Sequence, residues 1–142
     1  MAISRGLGKF AARFAVVSGI IFGNASKRVR AAALAADRVV VFATPVRFGR
    51  ARANWIVSLG SPSQAPGNRA PGSNPAQVAI SQGEQTIAQW EPAKGSIFIS
   101  NGVPYIQELE HGSSAQAPNG MTAQAIQAAQ AELRRGGLLR GL

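Results

Sequence analysis

The chain has 142 residues, 46% hydrophobic and 15% charged, which is enough for a single domain with one core and too apolar for a disordered chain. It holds no cysteine and one histidine, His111, which excludes a thiol nucleophile, a disulfide framework, a cysteine-held zinc and a multi-histidine metal centre. The net charge of +9 sits in front: residues 1–52 carry ten Lys and Arg against Asp37 alone, while residues 53–142 balance five basic against five acidic residues. A basic front end points to nucleic acid, an anionic membrane or an acidic protein as partner, or only to a solvated face.

Residues 1–25 read as a basic amphipathic arm. Leu7, Phe10, Phe14 and Val17 recur at helical spacing, and Arg5, Lys9 and Arg13 recur every four residues on another face. The same stretch also has the layout of a cleavable secretory leader or an Arg-rich organellar transit peptide, and both alternatives predict a mature chain without it. The apolar run Phe14 to Phe22 is short of the roughly 20 residues needed to cross a bilayer, so no membrane partner is expected.

From Lys27 to Ala43 an alanine-rich helix is expected, capped by Ser26, with Val29, Ala33, Ala36, Val40 and Ala43 on one side. Pro45 ends it, because a proline pushes the preceding Thr44 out of the helical region. Asn54 to Leu59 alternates as a strand through Trp55, Val57 and Leu59. The Pro- and Gly-rich stretch 61–75 is expected to be a flexible loop. Asn74-Pro75 starts a helix toward Glu91 with Ile80, Ile87 and Trp90 inward, and Gly83 is its weak point.

Ser96 to Ser100 is a second strand, turned by Asn101-Gly102. A short helix, Tyr105 to His111, follows with Pro104 at its first position, and Met121 to Arg135 is a C-terminal helix with Met121, Ala125, Ala129 and Leu133 on one side. The sum is an α+β fold: a small antiparallel sheet packed with a long N-terminal helix and a C-terminal helix, in one domain over 26–142. Trp55, Trp90 and Tyr105 are its expected large core residues.

The chain offers little for catalysis. Glu108 and Glu110 point about 200° apart on a helix and do not converge, and His111 beside Glu110 suits a helix-end cation. Gly6-x-Gly8 and Gly136-Gly137 lack the strand and the Gly-Lys-Ser/Thr of a phosphate loop, so no catalytic, cofactor or metal site is expected. The contact candidates are basic: Arg5, Lys9, Arg13, Lys27, Arg28 and Arg30, then Arg47, Arg50 and Arg52 with Phe48 among them. Three guanidiniums before Trp55 are suited to gripping phosphates while an aromatic stacks on bases. With aromatics only 6% of the chain, the better reading puts Trp55 in the core and pairs the arginines with carboxylates of a neighbouring subunit.

Thr44-Pro45-Val46-x-x-Gly49-Arg50-x-Arg52-x-Asn54-Trp55 resembles the signature of the tailed-bacteriophage neck and tail-completion proteins, which join head to tail. Ile97 through Ile106, with its Asn101-Gly102-Val103-Pro104-Tyr105 turn and the following Leu109-Glu110-x-Gly112, resembles a second segment of that family, and Gln116-Ala117-Pro118-x-Gly120-Met121 a third. The family commonly has Asp-Thr where this chain has Arg47-Phe48, so the partner surface there differs, and residues 1–25 match no part of it. The resemblance implies a non-enzymatic virion component, made in the host cytoplasm. It would form a ring of about six or twelve copies between portal or connector and tail, with packaged DNA in the channel as a further contact. The rival reading of the same charge is a small basic nucleic-acid-binding protein.

Overall fold

A computed structural model describes residues 24–47 and 49–135, and its architecture is α+β. Helix α1 (Asn24–Ala43) starts earlier than the sequence suggests, so Ser26 lies inside it rather than capping it, and the helix takes in Asn24 and Ala25 at the end of the 1–25 arm. The rest of that arm, with Arg5, Lys9 and Arg13, lies outside the described residues. Val29, Ala32, Ala33, Ala36, Val40 and Val41 are buried on α1. The helix packs along α5 (Thr122–Arg135), whose buried residues Ala125, Ala129 and Leu133 continue from Met121 at four-residue spacing.

The sheet is one antiparallel pair, β1 (Trp55–Leu59) and β2 (Ile97–Asn101), with Trp55 opposite Asn101, Val57 opposite Ile99 and Leu59 opposite Ile97. Period-two alternation puts those apolar side chains on one face, where Trp55, Val57, Ile97 and Ile99 are buried. Helix α3 (Pro75–Ala88) packs on both β1 and α1. Asn74 Oδ1 accepts from Gln77 N at 3.2 Å and Pro75 fills the first turn, so the expected start is realised; the helix stops three residues before Glu91. Gln82 on α3 pairs with the free edge of β1: its Oε1 accepts from Val57 N at 3.0 Å and its Nε2 donates to Val57 O at 2.8 Å. One side-chain amide thus does for that edge what a third strand would do.

Three short elements complete the body: a single-turn α2 (Arg50–Ala53), a 3-10 turn at Pro92–Lys94, and α4 (Ile106–Glu110). Glu110 at the end of α4 holds the start of α5. Its Oε2 accepts from Met121 N at 2.9 Å and Thr122 N at 3.2 Å, and Thr122 Oγ1 donates to its Oε1, so a carboxylate sits at the positive end of the helix.

Residues 61–74 have no regular structure, and the middle of the stretch is hydrogen-bonded to the body. Arg69 N donates to Asn54 Oδ1 at 2.8 Å and Arg50 Nε to Gly67 O at 2.8 Å. Gly67 (φ +75°) lies so close to Gly102 and Val103 that a Cβ would strike their backbone.

Candidate functional site

Residues 44–47 and 49–55 fold as a knot in which each buried side-chain polar group is satisfied. Thr44 Oγ1 donates to Val40 O at 2.6 Å and accepts from Trp55 Nε1 at 2.7 Å, which joins the end of α1 to the first residue of β1. Arg52 turns back over the same helix end: Nε and Nη2 donate to Thr44 O at 3.2 and 3.0 Å, Nη2 also to Phe42 O at 3.0 Å, and the guanidinium carbon stands 5.9 Å from the Phe42 ring centre. A cation on those carbonyls suits the negative end of α1. Burial lowers the Arg52 pKa from its ordinary value.

Asn54 closes the other side of the knot. It is 1% exposed, and its Nδ2 donates to Arg50 O at 2.8 Å and Arg69 O at 3.0 Å while Oδ1 takes Arg69 N. Asn101 Nδ2 reaches Ala51 O at 2.7 Å from β2, and Arg69 Nη1 reaches Ala53 O at 3.2 Å. The carbonyls of the one-turn α2 are therefore held by side chains from three separate parts of the chain.

This geometry divides the sequence candidates. Trp55 and Trp90 are core residues, 0% and 1% exposed. Tyr105 is not: it precedes the five-residue α4 and is 38% exposed, while the inward positions of that helix go to buried Ile106 and to Leu109, which packs half-buried against the core. Phe48, like Arg5, Lys9 and Arg13, lies outside the described residues. Lys27 is exposed and Arg28 half-buried at the start of α1, but Arg30 is committed inward, donating through Nη1 to Trp90 O at 3.0 Å. Arg52 is likewise an internal brace, so the three clustered arginines do not act as one set. Arg47 and Arg50 face outward together.

Those two line a cleft of about 550 Å³ between residues 45–47 and 49–51 on one side and α4 with the loop after it on the other. Pro45 and Ala51 are buried in its wall, Leu109 is half-buried, and Val46 and Tyr105 leave large apolar surfaces exposed. Val46 N donates to Gln116 Oε1 at 3.0 Å, which ties the two walls together. No Asp or Glu is among the described lining residues. Among the described residues no group of three His, Cys, Asp or Glu side chains is placed to hold a metal ion, and no helix is long and apolar enough to cross a membrane.

One group escaped the sequence reading. Asp37 on α1 is 1% exposed, and neither carboxylate oxygen has a hydrogen-bond partner among the described residues. It points at Gly83 of α3, in the space that a Cβ there would fill and next to Val57. Its pKa is raised from 3.8 to about 7, first by burial and then by Glu84, against the lowering influence of Arg38. Arg38 and Glu84 pair with each other at 2.8 Å on the exposed side. The signal was available: Asp37 stands four residues after Ala33, inside the stripe that α1 buries.

No family model matches the chain, and neither a curated protein nor a solved structure does.

Proposed function

We propose that this chain is a structural component of a tailed-bacteriophage particle, a ring-forming neck or tail-completion protein that joins the portal or connector to the tail and transforms no substrate. The observation that carries the reading is the Thr44–Trp55 segment. Of the residues that resemble the head–tail joining signature, Thr44, Gly49, Arg50, Arg52, Asn54 and Trp55 make the hydrogen bonds of one knot, and Pro45, Val46, Gly49 and Arg50 line an open cationic cleft. A stiff scaffold presenting a charged, partly apolar concavity suits repeated head-to-tail contact between subunits. The basic start of α1 and the arm before it would meet acidic connector surfaces or DNA in the channel.

Particle assembly without this protein is the test. Heads should fill and then fail to retain DNA or accept tails, and purified wild-type particles should hold the protein in a multiple of about six copies. Normal tailed particles made in its absence would end the reading. Tight DNA binding by the free protein, falling steeply as salt rises, together with absence from particles, would favour the nucleic-acid-binding alternative instead.

A further inference from the structure

We propose that the cleft beside Arg47 and Arg50 is a docking site for an acidic peptide segment of a partner protein, which lays an apolar side chain against Val46, Tyr105 and Leu109 and a carboxylate on the Arg50 guanidinium. The inference deepens the head–tail reading by naming the partner chemistry of this surface, and it rests on that surface being a partner interface.

Charge complementarity is the first argument. Two guanidiniums and no described carboxylate line the cleft, within a chain of net charge +9. Arg50 is prepared for a planar anion: Gly67 O holds its Nε at 2.8 Å, and its two Nη groups have no partner among the described residues. A guanidinium fixed at one corner keeps parallel donors for a carboxylate and loses little side-chain freedom on binding.

Apolar surface is the second. Val46 and Tyr105 are 37% and 38% exposed beside half-buried Leu109, so the site is mixed in character and has room for several side chains. The bond between Val46 and Gln116 presets the wall spacing, which lowers the cost of ordering the site on binding. Those features favour a polypeptide over a nucleic-acid strand. Tyr105 is the single aromatic among the described lining residues, and single-strand grooves rely on successive aromatic platforms.

The test uses the full chain and a short labelled peptide of alternating leucine and glutamate, with a glutamine-for-glutamate peptide as control, followed by fluorescence polarisation. The acidic peptide should bind saturably and weaken with salt, and the control should not bind. Arg50→Gln and Tyr105→Ser should each weaken binding by about tenfold. Arg134→Gln removes the same charge about 18 Å along α5 from Thr122 and should change binding less than about twofold. Tyr105→Ser keeps the test decisive if Arg50→Gln fails to fold, since the Tyr105 side chain makes no hydrogen bond among the described residues and its loss should leave the unfolding midpoint unchanged. The proposal is overturned by no saturation below roughly 1 mM, by an equal loss in Arg134→Gln, or by an oligothymidylate strand that binds with the same dependence on Arg50 and Tyr105. If particles still require the protein while the peptide does not bind, the docking inference falls and the head–tail reading stands.

Discussion

The knot around Trp55 and the junction around Asp37, next to Val57, border the same buried face of β1 and handle buried polarity in opposite ways. At the knot, Thr44, Asn54 and the Trp55 indole are almost wholly buried and every side-chain polar atom of the three has a partner at 2.6–3.0 Å. At the junction, a carboxyl group is equally buried and has no partner among the described residues. The first arrangement is what specifies a unique fold, since an unpaired group there would cost about 1–3 kcal/mol. The second makes the packing of α1 on α3 depend on a proton. Polar burial stabilises this molecule where the chain brings in carbonyls and amides from several elements, and it is a liability where one helix presents its acid to a bare glycine.

The largest effect should come from removing the centre of the knot. Trp55→Ala takes out a fully buried indole and leaves the Thr44 hydroxyl without its donor, a loss of about 3–5 kcal/mol. Urea unfolding, or failure to recover soluble protein, reads it. A soluble variant of near wild-type stability would show that Trp55 is not the keystone of the core.

The junction should show itself through pH. In the folded chain Asp37 keeps its proton up to about pH 7, while in the unfolded chain it loses it near the ordinary 3.8. Between those values the folded state binds more protons, so stability falls as pH rises from about 4 and levels off above about 7. The drop attributable to this one group is about 4 kcal/mol. Asp37→Asn keeps the shape, cannot ionise, and should remove that slope, leaving the variant more stable than wild type at about pH 8. Equal pH profiles for the two proteins would mean that the carboxyl finds a partner or water when charged.

Local chemistry made much of this fold legible. Asn74-Pro75 carries its own start signal, Trp55-x-Val57 alternates without interruption, and Met121, Ala125, Ala129 and Leu133 keep one period through α5. What escaped depends on distance along the chain. The one-turn α2 is held by Asn101 and Arg69, 50 and 16 residues from the carbonyls they bind, so its own four residues carry no periodic signal. Tyr105 reads from the sequence as a large core residue, but it precedes α4 and so short a helix has too few positions for periodicity to tell which neighbours turn inward. Arg47, Arg50 and Arg52 look equivalent as a run. They separate only because Arg52 meets the end of α1 while Arg50 meets Gly67, and the cleft itself needs Pro45 and Leu109 to come together. Asp37 was visible as an acid in an apolar stripe; that its neighbour across the interface lacks a side chain was not.

That missing side chain gives the smallest and most discriminating prediction. Glycine inside a helix normally costs about 1 kcal/mol relative to alanine, so Gly83→Ala should stabilise α3 if the position were free. It is not free: a Cβ there would meet the Asp37 carboxyl and stand 3.1 Å from Val57 Cγ2. Overpacking of this kind costs about 1–3 kcal/mol, which outweighs the gain in helix propensity, so Gly83→Ala alone should destabilise by about 1 kcal/mol. The sign depends on Asp37. In an Asp37→Ala background the carboxyl is gone, Val57 can give way, and the same substitution should become neutral or stabilising. A cycle of the four proteins by urea unfolding at about pH 5, where Asp37 is protonated in the folded state, measures steric coupling without the cost of ionisation. Coupling near zero would mean that Gly83 and Asp37 merely face each other; a coupling of about 1 kcal/mol or more would establish that the glycine is there to house the acid.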